Sequence, residues 1–398
     1  MTDEQAAYRP LLRRREDSKQ PAFLELFFDL VYVLTLTQLT HLLIDHLGWA
    51  GAFEAFVLLL ALWWVWVLTA WMTDQFDPQH PVVQGYVILV MMAILVMAIL
   101  VPRGLSGHST AFAGFYVAIN LGRCLFVLLG ARGTLLPQRA LRAGFWLAVS
   151  LIFWIASAFT EGWRRGVLWL MALAVDYLSA ALRWPTPKLG RAPGWELAIA
   201  ETHLAERYRQ VIIVALGEIV LIMGITFANT DNAQFTFGRT VVLLLSLIST
   251  ALMWRLYIYR AGQQLAPAIA VSPHPHRLSQ WASYLHLVMI AGILLTAVGF
   301  TLIIEHPTTD PPPAWIAGIA GGPALFLAGR AGFEYLIFGR VTLPRLVGIV
   351  TLGGIGSLVV HLRPEITSAA ATLVLAAVAA LDAVRGHRRG REPARPPT

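Results

Sequence analysis

Apolar runs long enough to cross a lipid bilayer recur along the whole chain. In hydrocarbon each must be a helix, because no water is there to pair with exposed backbone N–H and C=O groups. Read against breaks at Pro, Gly and charge, the runs fall near 22–44, 53–72, 82–101, 110–131, 141–160, 166–183, 204–227, 240–260, 279–303, 314–330, 342–361 and 368–384. The ten-residue alternation of a membrane β-barrel is missing. The expected fold is therefore an all-α polytopic membrane protein with about 12 transmembrane helices. Composition agrees: 57% of the 398 residues are hydrophobic and only 13% are charged, where soluble domains carry about a quarter. Mean hydropathy is +0.64.

The basic pI of 9.8 does not point to nucleic acid, because the cations are scattered between apolar runs rather than gathered on one soluble module. They point to topology instead. With twelve spans, one set of loops and both tails hold 22 Lys and Arg residues and the opposite loops hold 5, which predicts that both termini are cytoplasmic. The first twenty residues lack an apolar core, so the first helix is expected to act as the insertion signal. Cys124 is the single cysteine, which excludes an intrachain disulfide.

The two halves show faint likeness. LELFFDLVYVL (24–34) aligns with AERYRQVIIVA (205–215), INLGRCLFVLL (119–129) with IAGGPALFLAG (319–329), and Asp176 with Asp382. This order predicts a 6+6 repeat. The expected organisation is a cytoplasmic tail (1–20), a first six-helix half (21–192), a second (193–384) and a basic cytoplasmic tail (385–398).

An ionised side chain in mid-membrane costs at least about 2.5 kcal/mol, so those present face protein or water and find partners. In the first helix Glu25, Asp29 and Tyr32 share a stripe while Gln38 and His41 point elsewhere, which predicts a helix buried among others. Glu25 reads as a charge at a helix N-terminus, and Asp29 as the better functional candidate. In the seventh helix His203, Arg207, Gln210, Gly217 and Glu218 fall on one face with Glu206 at its margin. Gly217 and Gly224 are expected to admit a neighbouring helix. Glu218 reads either as a proton or cation site or as a protonated carboxyl used for packing. Arg123, beside Asn120, and Arg255 are candidate charge partners. His286 reads as a hydrogen-bonded bundle histidine.

No nucleotide-binding loop, zinc motif or other catalytic motif is present, so no cofactor or metal is expected and the chain is not expected to be an enzyme. Asp74 and Asp77 of TDQFDP read as a helix-terminating turn.

ELFFDLVYV, LGR at 189–191, HLAER with ALGE across 203–218, Asp176-Tyr177, Ala297-Val298-Gly299, His306-Pro307 and GPALF at 322–326 resemble the bacterial low-temperature-requirement A (LtrA) family, over about residues 22–330. The resemblance implies a multi-pass protein of the bacterial inner membrane linked to growth in the cold. It carries over no substrate or catalytic residue. The family's motif positions are Glu25, Phe28, Asp29, His203, Glu206, Arg207, Gly217 and Glu218. The chain departs from the pattern at Tyr208-Arg209 and at Phe300-Thr301, where an acidic pair is usual; that weakens any relay needing carboxylates in the ninth helix. The expected function is an ion-coupled secondary transporter of an unidentified small solute or ion, with Asp29, Arg123, His203, Glu206, Arg207, Glu218 and Arg255 on its pathway. The alternatives are an enzyme acting on a lipid or isoprenoid, or a structural or sensory protein. The lipid bilayer is the one partner implied, and oligomeric state is open.

Overall fold

The computed structural model describes residues 11–13, 21–105, 109–131, 136–193, 201–229, 237–259, 261–306, 312, 315, 317–358, 363–389 and 393–397. Most of both expected tails lies outside these. Among the described residues the fold is all-helical, with two isolated β-bridges and no strand. In chain order the helices are α1 (Phe23–Asp45), α2 (Trp49–Gln75), α3 (Pro81–Leu100), α4 (Ser109–Gly130), α5 (Leu136–Ser157), α6 (Gly162–Ala181) and α7 (Glu201–Asn229). They continue as α8 (Phe237–Ile258), α9 (Ala261–Val271), α10 (Pro275–Glu305), α11 (Gly322–Phe338), α12 (Leu343–Leu358) and α13 (Pro364–Arg389). Every expected span overlaps a helix, and α9 is an addition. Its internal Pro267 hid it, since proline reads as a helix breaker.

Nine of the described segments are long and apolar enough to cross a membrane, and residues 343–355 form a shorter apolar helix. Helix ends follow local chemistry. Pro81 starts α3, where its missing N–H costs nothing, and the His80 side chain accepts from the Val82 N–H. Helix α11 stops at Gly339, whose φ of 66° is open to glycine.

The chain packs as two compact units. The first comprises residues 1–42, 48–207 and 274–280, the second 43–47, 208–273 and 281–398. The division thus falls inside α7, after Arg207. In the first unit α3, α4, α5 and α6 pack successively side by side, and α2 lies against α4 and α6. In the second, α13 packs on α8 and α12, and α11 on α12 and α9.

A close helix seam in the second unit is built from glycine. A Cβ added at Gly299 would stand 2.6 Å from backbone atoms of Gly318 and Ile319, and one at Gly292 would stand 2.4 Å from the Phe326 nitrogen. Gly322 meets Thr296 and Gly329 meets Met289 as closely as 2.5 and 2.8 Å. At Gly292, Gly299 and Gly322 the nearest atoms are backbone that no side-chain movement can relieve, and at Gly329 the Met289 side chain is nearest with backbone at 3.0 Å, the way small residues draw membrane helices together. Gly299→Val is expected to destabilise the second unit by about 1–3 kcal/mol through overpacking, read as earlier amide exchange in α10 and α11. Wild-type exchange there would show the seam to be slack.

Candidate functional site

The first unit buries a cluster of ionisable side chains that the sequence scatters over 180 positions. Glu25 and Asp29 sit one turn apart on α1, Trp66, Thr73 and Asp74 share a face of α2, and His203 and Arg207 sit one turn apart on α7. Glu25, Asp29, His203 and Arg207 are at most 1% exposed and Asp74 is 8% exposed.

Two linked motifs make up the cluster. In one, the Arg207 guanidinium forks onto Asp29, with Nη1 donating to Oδ2 at 2.8 Å and Nη2 to Oδ1 at 2.9 Å. The Trp66 indole N–H also donates to Asp29 at 2.8 Å, and its ring lies 5.5 Å below the guanidinium. A planar fork matched to a carboxylate and laid on an indole face suits arginine and not lysine. In the other, His203 stands between two carboxyl groups, with Nε2 at 3.0 Å from Glu25 and Nδ1 at 3.1 Å from Asp74. Glu25 is also reached by the Thr73 hydroxyl and the Ala22 N–H. Arg207 joins the motifs: Nη1 donates to the Glu25 carbonyl at 3.0 Å and Nε lies 3.8 Å from its carboxylate.

Nε2 is hydrogen-bonded to Glu25 while Nδ1 faces Asp74 as an ion pair without hydrogen-bond geometry, so both contacts are attractive only when His203 is the imidazolium. Remove one proton and one contact is left acceptor to acceptor, unless a carboxyl keeps a proton instead. The trio is therefore a place where a single proton decides which groups donate.

The structure gathers Glu25, Asp29, His203 and Arg207. Phe28 is buried beside them in sequence, while Glu206 is half-buried. Glu25 both caps the first turn of α1 and belongs to the cluster. Two expectations need correction. Helix α1 is not buried all round, because it buries the Glu25, Asp29 and Tyr32 stripe and exposes Phe23, Phe27, Leu30 and His41. Gly217 and Gly224 are not packing points, since a Cβ at either would meet no described atom within 4 Å and Gly217 is exposed.

Glu218 is fully buried in the second unit. Arg255, in the same unit, lies 4.2 Å over the Tyr259 ring. His286 is the hydrogen-bonded histidine expected, against the Tyr257 hydroxyl at 3.0 Å and the Ala282 carbonyl at 2.6 Å. Arg123 in the first unit donates to Asn120 at 2.8 Å.

Sequence reading passed over Asp74, Thr73 and Trp66. Asp77 does form the expected turn, accepting from the Gln79 N–H at 2.9 Å, but Asp74 is in the last turn of α2 and faces inward. The spacing of Trp66, Thr73 and Asp74, i, i+7 and i+8, was the available signal. The short segment at Leu11–Arg13 is pinned at this end of α2, with the Arg13 N–H bonded to Gln75 and the Asp77 N–H to Leu11.

The opposite face of α2 borders a cavity of about 100 Å³, lined from α2 by Trp64, Leu68, Trp71, Met72 and Gln75 and closed by residues of α4, α5 and α6. Those five α2 residues recur at i, i+4, i+7, i+8 and i+11, a stripe centred roughly 180° from Trp66 and Thr73. Asp74 lies about 60° from Trp71 and 100° from Gln75, between these two faces, so one helix joins the titratable cluster to the cavity wall.

An all-helical chain with many bilayer-length helices and a buried charge cluster is a multi-pass membrane protein. It belongs to the bacterial low temperature requirement A (LtrA) family, whose model matches residues 21–380. It is 36% identical over 323 residues to the uncharacterized protein RA0937 of Rhizobium meliloti (strain 1021), covering 80% of this chain and 78% of that one. No solved structure matches the chain.

Proposed function

We propose that the chain is a secondary transporter of the bacterial cytoplasmic membrane that couples movement of a proton to that of a small solute. In this reading it crosses the bilayer about 12 times as a 6+6 repeat with both termini cytoplasmic, for which the loop charges, 22 against 5, are the support. The observation that carries the proposal is the two-sided α2. Loss of the Nδ1 proton of the His203 imidazolium removes its attraction to Asp74, on the same turn of α2 as Trp71 and Gln75 of the cavity wall. A change of protonation on one face is then a change of position on the other, which is the linkage a coupled carrier needs.

Purified protein in liposomes loaded with a pH-sensitive dye tests this against a panel of organic acids, amino acids, amines and sugars. At least one solute is expected to drive proton flux in the wild type, and Glu25→Gln and Asp74→Asn to reduce that flux by about tenfold or more. Both variants keep the shape of the side chain, and Glu218→Gln serves as the comparison in the second unit. Flux that is absent across the panel, or equal in wild type and both cluster variants, would sink the proposal.

A further inference from the structure

We propose that the cavity of the first unit is a binding site for a small organic monoanion with an aromatic or similarly flat apolar body. The inference rests on the cavity being the solute site, and adds the chemistry of the solute.

At about 100 Å³ the space is several times what a single water needs, which leaves room for a small ligand. Four indoles line it: Trp64 and Trp71 from α2, Trp146 from α5, and Trp184 just after α6. The Trp146 N–H is committed to the Pro185 carbonyl at 3.1 Å, so its ring presents an apolar face. Such walls receive a flat, apolar body by stacking.

Charge sets the rest of the ligand. The ionisable groups lining the cavity, apart from the Cys124 thiol, are Arg123, Arg139 and Asp176, two cations against one anion. The Asp176 carboxylate is occupied by the Tyr116 hydroxyl at 2.7 Å. Arg139 is held against the Trp71 and Trp184 rings at 5.8 and 5.9 Å. Arg123 donates to the neutral Asn120, and among the described residues no carboxylate stands within ion-pair distance of it. A guanidinium that Asp176 reaches only through space, with no carboxylate in contact, at the wall of an apolar cavity is matched by a carboxylate or sulfonate brought in by the ligand. A second, independent observation agrees: Trp71 is 91% buried, and its indole N–H has no hydrogen-bond partner among the described residues. It is a donor awaiting an acceptor oxygen. Asp176 sets the limit of one negative charge, since a second would meet it.

Cys124 lines the same cavity and is the only cysteine of the chain, so it reports on the site without background. With the full-length protein in lipid nanodiscs, intact mass gives the rate at which Cys124 forms a mixed disulfide, releasing methanesulfinate, with an anionic sulfonatoethyl and a cationic trimethylammonioethyl methanethiosulfonate. Each rate is divided by that of the same reagent with a free thiol. The anionic reagent is expected to be favoured by about tenfold, the preference to vanish in Arg123→Gln and to survive in Arg123→Lys. In the wild type, 3-phenylpropionate is expected to protect Cys124, while 3-phenylpropionamide and 3-phenylpropylamine do not.

Equal normalised rates, a cysteine that neither reagent reaches, or protection by the amide or amine as good as by the acid would each overturn the proposal, and the wild-type arms hold even if a variant fails to fold. Charge-selective protection without solute-driven proton flux would count against the transport reading alone. Proton flux driven only by cationic or uncharged solutes would leave transport standing and remove the anion site.

Discussion

Arg207→Met is expected to destabilise the first unit by about 3–5 kcal/mol, because it strands the Asp29 carboxylate in a dry interior with its counter-ion gone. The double variant Asp29→Asn/Arg207→Met is expected to recover a large part of that loss. Asparagine still accepts the Trp66 indole N–H and carries no charge to strand. The asymmetry is the signature of a buried pair: removing one partner costs far more than removing both. Tryptophan fluorescence in a denaturant titration reads the effect, since of fourteen tryptophans only Trp254, Trp281 and Trp315 lie in the second unit. A single variant melting with the wild type would mean that water already reaches Asp29.

Arg345→Met is the corresponding experiment in the second unit, with a loss of about 3–5 kcal/mol or more. There one guanidinium, 1% exposed, serves two carboxylates, Glu334 on α11 and Asp382 on α13, and also touches the Thr342 hydroxyl at 3.0 Å. Losing it leaves two like charges facing each other, whereas Asp382→Asn leaves one intact pair and is expected to cost much less. Amide exchange across α11, α12 and α13 separates the two outcomes. Equal protection in both variants would show that Arg345 is not what joins these helices.

Much of the helical architecture was legible because the bilayer imposes a length and a polarity on every crossing, and each expected segment overlaps a helix. The hidden parts share one cause: a single sequence gives the phase of each helix and no partner for it. The Glu25 and Asp29 stripe and the HLAER stripe could each be read, yet nothing in them said that they meet. Asp74 was lost because D-x-x-D before a proline looks like a turn, and only the face shared with Trp66 and Thr73 argues otherwise. Glycines were misassigned for the same reason. Gly217 and Gly224, seven apart on α7, and Gly292 and Gly299, seven apart on α10, look alike in sequence; only the second pair has backbone against it. The triad of Arg345, Glu334 and Asp382 is not legible in sequence, because Asp382 shows only as a match to Asp176 and nothing marks Arg345 and Glu334 as its partners.

Helices α2 and α10 each have 83% of their apolar stretch inside the protein, against 33–50% for the other spans. A lipid-facing stripe lets apolar residues be exchanged almost freely, because any of them dissolves equally well in hydrocarbon. These two helices have almost no such stripe. Neutral drift therefore has little room to act in them, and alignments of distant relatives are best anchored on α2 and α10, with the outer helices placed afterwards.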